Sequence, residues 1–217
     1  MQISLVNSGK RFNREWIFRG LDYTFSSPNA YAIIGNNGSG KSTLLQTICG
    51  AISLSEGKCA WENDAAIIPD EKIHQQFSIV TPYLELIEEM TAKEFLHFHE
   101  AFKPFIPNIS ILQMIDFVEL PASAADKQIR YYSSGMKQRL KLAQAVFSDA
   151  PVILLDEPCT NLDDKGYELY HRLLKDFCSN KLIIVSSNEP AEYDFCKEII
   201  DIRNYKGKSK IVFGGVK

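Results

Sequence analysis

The chain has 217 residues, of which 45% are hydrophobic and 24% charged, and its formal net charge is −3. That length suits one α/β domain, or one domain carrying a sub-domain, and the composition supports a core of useful size. With no basic field, nucleic acid and anionic membrane surfaces are poor partners, and no apolar run approaches the roughly 18 residues that a spanning helix needs.

The first residues, MQISLVNSGKRF, lack the apolar stretch of a secretory signal, so the cytosol is the expected compartment. Alternation in ISLVNSGKRF and WIFRGLDYTF predicts short antiparallel strands ahead of SSPN. YAIIG (31–35) reads as a short buried strand ending in glycine. Beyond the next loop, Leu44, Leu45 and Ile48 stand at helical spacing, with Gly50 placed to cap the helix end. CAW, AAII and FSIV are candidate strands within 57–80. From 91 the pattern turns helical. Thr91-Ala92-Lys93-Glu94 is a capping box before FLHFHEAF, Asn108 is the expected cap of ISILQMIDFVEL, and a third helix begins near Ser134. The strand PVILLDEP, a helix over about 164–178, the strand KLIIVSS, a short helix after Pro190, the strand EIIDIR and a hairpin-like tail complete the order.

Buried β runs alternating with helices imply a mostly parallel sheet covered on both faces, with antiparallel strands at the N-terminus. The helical block at about 83–147 interrupts the alternation, and is expected to be a sub-domain inserted in a single domain spanning 1–217. The five cysteines form no CxxC pair and read as reduced thiols packed as small apolar residues. His97 and His99 are two apart on an expected helix, so they face different sides and make no metal site.

The stretch GNNGSGKST (35–43) matches the phosphate-binding loop G-x4-G-K-[ST] between a strand and a helix. Gly35, Asn36, Asn37, Gly38, Ser39 and Gly40 let the backbone curl so that successive N–H groups meet one anion. The helix that follows, starting at Lys41, Ser42 and Thr43, adds the partial positive charge of its N-terminus. Lys41 brings a full charge toward the β- and γ-phosphates, and the Ser42 hydroxyl can ligate Mg²⁺. Asp156 and Glu157 lie at the C-terminal end of a buried strand, where open α/β sheets bind ligands. Asp156 can hold magnesium through water, and Glu157 can take a proton from the water attacking the γ-phosphate. The fold class is therefore α/β, of the P-loop NTPase type, with ATP as the expected nucleotide.

YYSSGMKQRLKLAQA (131–145) resembles the signature motif of ABC-type ATPases, written LSGGQ. With GNNGSGKST, LLDEP and NLDD, nearly the whole chain resembles an ABC transporter ATP-binding subunit. The resemblance implies two cassettes paired head to tail, as a homodimer or with a different cassette, with each ATP between the phosphate loop of one and the signature of the other. Ser133 and Gly135 would then contact the γ-phosphate of the partner's ATP, and Asp163 would cross the interface. Phe12 is the aromatic implied to stack on adenine, with Trp16 second. A membrane-spanning permease on a separate chain would be the partner, placing the cassette on the cytoplasmic face of the cell membrane.

Three departures from that family's pattern stand out. Ser134 and Met136 replace a signature glycine and glutamine. Asn188 stands where the family has its switch histidine; an amide donates a hydrogen bond but carries no charge, so slower hydrolysis with ATP binding retained is expected. Thr81-Pro82-Tyr83-Leu84-Glu85 lacks the family's Q-loop glutamine, and YLELIEEM is either a contact for a membrane partner or a solvated helix face. The alternative function is a soluble ABC ATPase acting in Fe–S assembly or on ribosomes. A small-molecule kinase would share the phosphate loop but would leave YYSSGMKQR and NLDD unexplained.

Overall fold

The computed structural model describes residues 1–64 and 66–206. The chain runs β1 (Gln2–Phe12), β2 (Glu15–Ser26), β3 (Ala30–Ile34), α1 (Lys41–Ile48), β4 (Glu56–Asn63), β5 (Ala66–Ile67) and β6 (Phe77–Val80). It continues through α2 (Ala92–Glu100), α3 (Ile111–Phe117), α4 (Ser134–Val146), β7 (Val152–Asp156), α5 (Asp164–Phe177), β8 (Leu182–Ser186) and β9 (Glu198–Asp201). A 3-10 turn, Pro190–Glu192, lies between β8 and β9, and another, Ile202–Tyr205, follows β9.

Two sheets result. The first is antiparallel in the order β2-β1-β4-β5, and the second is parallel in the order β6-β7-β8-β3-β9. This is the α/β architecture that the alternating pattern predicts. Strand geometry sends successive side chains to opposite faces, and the parallel sheet uses both. Ile153 and Leu155 of β7, Ile183 and Val185 of β8 and Ala32 of β3 face the helices α2 to α5. Val152 and Leu154, Leu182 and Ile184, and Tyr31 and Ile33 face Leu44, Leu45 and Ile48 of α1 together with Phe18, Phe25 and Trp61 of the antiparallel sheet. A fully buried leucine such as Leu154 contributes about 2–5 kcal/mol against truncation to alanine. The Trp61 indole donates to the Ile48 carbonyl at 2.9 Å, which ties β4 to the end of α1.

Thr91 and Glu94 form the expected capping box. The cap of α3 differs from expectation. Ser110, not Asn108, accepts from the Gln113 N–H while the Gln113 side chain reaches back, a second capping box. Asn108 instead takes a left-handed backbone (φ 66) and turns the chain before the cap, a conformation asparagine tolerates. The strand expected over EIIDIR ends at Asp201, where the 3-10 turn begins, because the Asp201 carboxylate caps the Arg203 N–H at 3.0 Å. The expected hairpin-like tail lies outside the described residues. Among the described residues, no helix is long and apolar enough to cross a membrane.

Replacing Ser110 by alanine is expected to lower stability by about 1 kcal/mol. Asn108→Gly, which keeps the left-handed turn, is expected to be neutral to within about 0.5 kcal/mol. Urea unfolding followed by circular dichroism distinguishes the two; equal losses would place the cap at Asn108 after all.

Candidate active site

Three neighbouring strands of the parallel sheet, β7, β8 and β3, end side by side. Asp156 pairs with Ser186, and Ser186 pairs with Ile33. The ladder continues past the strand ends, with the Glu157 N–H donating to the Ser186 carbonyl at 2.9 Å and the Ser187 N–H to the Ile33 carbonyl at 3.1 Å. The chain after each strand therefore leaves from one edge, which is the edge where ligands bind in open parallel sheets.

After β3 the chain makes the phosphate loop. Gly40 has φ 106, and a Cβ there would collide with the Ile17 side chain. Gly35 has φ 152, and its Cβ would lie 2.5 Å from the Ser39 hydroxyl. Both positions combine a left-handed backbone with no room for a side chain, so glycine is required. Lys41 is only 5% exposed, and its ammonium donates to the Gly35 carbonyl at 2.9 Å and the Asn36 carbonyl at 3.4 Å. That closes the loop over its own lysine. The Ser39 hydroxyl is buried in the loop with no partner.

The start of α1 differs from those of the other helices. Thr91, Ser110, Ser133 and Asp163 each cap their helix with a side-chain oxygen, whereas Gly40 gives α1 no side-chain cap. Its first N–H groups are left for another acceptor. They open on a cavity of about 380 Å³ lined by Ile17, Asn37, Gly38, Gly40, Lys41, Ser42, Thr43, Tyr83 and Glu157. An uncapped helix start, a lysine and glycine-borne N–H groups in one cavity fit a phosphate chain.

Glu157 reaches this cavity from the end of β7 on strained backbone, φ 45, which a non-glycine residue adopts at a cost of about 1 kcal/mol or more. The geometry holds because the Glu157 carbonyl accepts from both the Thr160 hydroxyl (2.9 Å) and the Thr160 N–H (3.2 Å). Asp156 is buried behind it, and its carboxylate accepts the Ser186 hydroxyl at 2.6 Å. The Ser42 hydroxyl and the Asp156 carboxylate are hard oxygen donors of the kind a magnesium ion takes. Among the described residues, no cluster of three His, Cys, Asp or Glu can hold a metal, so a cation here would be completed by phosphate oxygens and water.

The remaining residues singled out in the sequence lie elsewhere. Phe12, at the end of β1, is 46% exposed with the Lys10 ammonium 4.9 Å from its ring centre, and does not line the cavity. Trp16 carries the guanidinium groups of Arg11 and Arg19 at 5.6 and 4.6 Å. Ile17, the neighbour of Trp16, is the residue of this strand that reaches the cavity. Ser133 caps α4, with its oxygen accepting the Met136 N–H at 3.3 Å, and Gly135 packs so closely on the Asn161 carbonyl that a Cβ would lie 3.1 Å away. Asp163 caps α5 and lies 3.9 Å from Arg139. Asn188 is exposed past the end of β8 and lines neither cavity at this edge. The second cavity, about 410 Å³, lies between α4 and the stretch after β6 and is lined by Pro82, Leu84, Glu85, Leu86, Glu88, Ser134, Lys137, Gln138, Lys141 and Asn161. Sequence reasoning missed Ile17 and Tyr83 as lining residues. Tyr83 carries a signal, since it follows a parallel strand at the ligand-binding edge; nothing local marks Ile17.

A phosphate loop at the C-terminal end of an interior strand of a parallel sheet, here β3 between β8 and β9, defines a P-loop nucleotide-binding fold. The family model described as ABC transporter matches residues 18–160, and the chain belongs to that family. It is 30% identical over 178 residues to an uncharacterized ABC transporter ATP-binding protein, YybJ, of Bacillus subtilis, covering 79% of this chain and 78% of the relative. It is 29% identical over 185 residues to the cytochrome c biogenesis ATP-binding export protein CcmA of Haemophilus influenzae, covering 85% and 87%. Among solved structures, the dimeric bacterial ABC transporter cassette MJ0796 superposes with a TM-score of 0.79 at 26% identity, over 92% of this chain and 94% of that one. A putative ABC transporter ATP-binding protein from Pyrococcus furiosus superposes with a TM-score of 0.81 at 18% identity, over 95% and 100%, a likeness of fold. The chain is accordingly an ATP-binding cassette with ATPase activity.

Gly40→Ala is expected to weaken ATP binding at least tenfold, because the new methyl must push the Ile17 side chain aside and sit on the left-handed backbone of Gly40. Gly135→Ala, which lies on ordinary helical backbone away from the cavity, is expected to leave binding to the isolated protomer within about twofold. Titration with a fluorescent ATP analogue reads both.

Proposed function

We propose that this cassette is the energising subunit of a membrane transporter whose spanning part is a separate chain, and that it works by ATP-driven head-to-tail pairing. One observation carries the reading. The cavity of the phosphate loop and the start of α4 are separate within one protomer, and neither Ser133 nor Gly135 lines the cavity. One ATP meets both only between two copies. A single chain carries both halves, so a symmetric homodimer is sufficient.

In that pairing the loop N–H groups and Lys41 neutralise the phosphates of ATP. Ser133, whose oxygen accepts the Met136 N–H, keeps its own O–H free to donate to the γ-phosphate of the partner's nucleotide. Asp163 faces across the interface. Ser42 and Asp156 would hold Mg²⁺, which supplies charge neutralisation at the β- and γ-oxygens. Glu157 orients the attacking water and accepts its proton. Asn188, which stands outside the cavity in the single protomer, would give the γ-phosphate a neutral hydrogen bond in the pair in place of a charged one, so turnover is slow while binding is kept. The block of about 83–147 acts as a helical sub-domain of one cassette spanning 1–217; its buried residues share one core with the sheet, which supports a single unit. The exposed Tyr83 and Ile87, beside the cavity between α4 and the 82–88 stretch, suit a permease contact at the cytoplasmic face of the membrane.

Glu157→Gln is expected to bind ATP and elute as a stable dimer in size-exclusion chromatography with ATP and magnesium, where the wild type dimerises only transiently. A monomer under those conditions rules out the pairing mechanism.

Asn188→His is expected to raise kcat about fivefold, the rate equivalent of roughly 1 kcal/mol separating charged from neutral hydrogen bonds. An unchanged kcat in a phosphate-release assay would mean that Asn188 does not limit turnover. Affinity capture from detergent-solubilised cells tests the transporter reading: a stoichiometric polytopic membrane protein supports it, and ribosomes or Fe–S assembly proteins in its place overturn it.

A further inference from the structure

One peptide group holds together three segments that the sequence keeps far apart. It is the bond from Pro158 to Cys159, immediately after Glu157. Its carbonyl accepts the Gln138 side-chain N–H at 2.6 Å, and its N–H donates to the Glu192 carboxylate at 2.7 Å. Gln138 lies on α4, on the same rigid helix that Ser133 caps. Glu192 lies on the 3-10 turn after β8, four residues past Asn188. Both residues are 3% exposed. Neither bond belongs to the regular pairing of its own element.

We propose that Gln138 and Glu192 are positioning residues for Glu157, acting through this peptide; the proposal rests on the reading of Glu157 as the base that activates water. A peptide group is a rigid plane. Pro158 has its φ locked by its ring. Between the Glu157 Cα and the clamped plane only the ψ angles of Glu157 and Pro158 can turn. On its other side the Glu157 N–H is held by the Ser186 carbonyl at 2.9 Å. Together with the Thr160 bonds to its own carbonyl, this fixes the strained backbone of Glu157 from both ends, and α4 and the 190–192 turn set the direction in which the chain leaves it.

The cost of the arrangement points away from a purely stabilising role. The Glu192 carboxyl is buried with one oxygen bonded to the Cys159 N–H and the other without a partner, and a buried polar atom left unpaired lowers stability. Burial also raises its pKa, whereas its backbone is pinned by the Tyr170 hydroxyl donating to the Glu192 carbonyl at 2.9 Å. The consequence is mechanical. A shift of α4, whose start would meet the partner's ATP, and a shift of the segment bearing Asn188 both reach Glu157 through the same plane.

The test is steady-state ATP hydrolysis by the full chain, with ATP binding measured in parallel. Gln138→Met and Glu192→Ala are each expected to lower kcat about ten- to a hundredfold, the scale of an ångström-level misplacement of a catalytic group, with KM for ATP and analogue binding within about twofold. Glu192→Gln is expected to regain most of the loss, since its amide oxygen still accepts the Cys159 N–H. The double variant Gln138→Met, Glu192→Ala is expected to be no slower than the slower single, because release at one end already frees the plane. Wild-type kcat in Gln138→Met, a loss confined to KM, or single effects that multiply in the double variant would each overturn the proposal. The near-isosteric Gln138→Met and Glu192→Gln keep the test decisive if Glu192→Ala fails to fold. Glu157→Gln runs alongside: if it hydrolyses ATP at the wild-type rate, the assignment of Glu157 fails instead.

Discussion

The hydrogen-bond ladder joining β7, β8 and β3 sets the spacing on which the active site depends. Adjacent strands stand about 4.8 Å apart, so the chain leaving β7 at Glu157, β8 at Ser187 and β3 at Gly35 does so in a row across one sheet edge. Parallel strands have no tight turn to set their register. Here two buried faces set it, since a slip of one residue would exchange Ile153 and Leu155 with Val152 and Leu154 and misfit both cores. The groups that meet ATP inherit their positions from that apolar packing. The ladder then runs on past the strands, where the Ser186 carbonyl takes the Glu157 N–H and supports a backbone conformation that would not persist alone.

Helix capping separates the binding end from the structural ends. Four helices satisfy their first N–H groups with their own hydroxyl or carboxylate oxygens, and α1 does not. Gly40 has no side chain to offer, and the left-handed turn it makes against Ile17 admits none. The missing cap costs local stability and leaves a site of positive potential beside Lys41. Ser133 and Asp163 show the opposite arrangement: each is engaged as a cap within its own protomer, which holds α4 and α5 with their first turns at the protein surface. Arg139 strengthens this corner, contacting Glu119 at 3.0 Å and Asp163 at 3.9 Å, and Arg172 joins the same Glu119 at 2.6 Å. The paired arginines hold the Glu119 carboxyl below its ordinary range.

Legibility from the chain differed among these features for identifiable reasons. The phosphate loop, the carboxylate pair ending a buried strand and the capping box at Thr91 were readable because each is a local pattern with its chemistry inside a few residues. The sequence points to Asn108 as the cap of α3 because asparagine suits both a cap and a left-handed turn; the backbone angle of 66° and the Ser110–Gln113 bonds tell them apart. Phe12 and Trp16 were the aromatic choices near the nucleotide, yet the strand presents Ile17 to the cavity, and which residue of a strand faces a neighbouring loop is set by how the two sheets pack.

The sequence by itself determined the parallel sheet, the order of its helices and the membership of a nucleotide-binding family, since period, glycine placement and motif spacing act over short stretches of chain. Tertiary structure alone decided which groups share a cavity. Tyr83 arrives beside Lys41 from a different strand end, and the Pro158–Cys159 peptide is gripped by Gln138 and Glu192 from 20 and 33 residues away. No local pattern encodes such pairs, because they are created by the packing of distant elements and exist only when the whole core has closed.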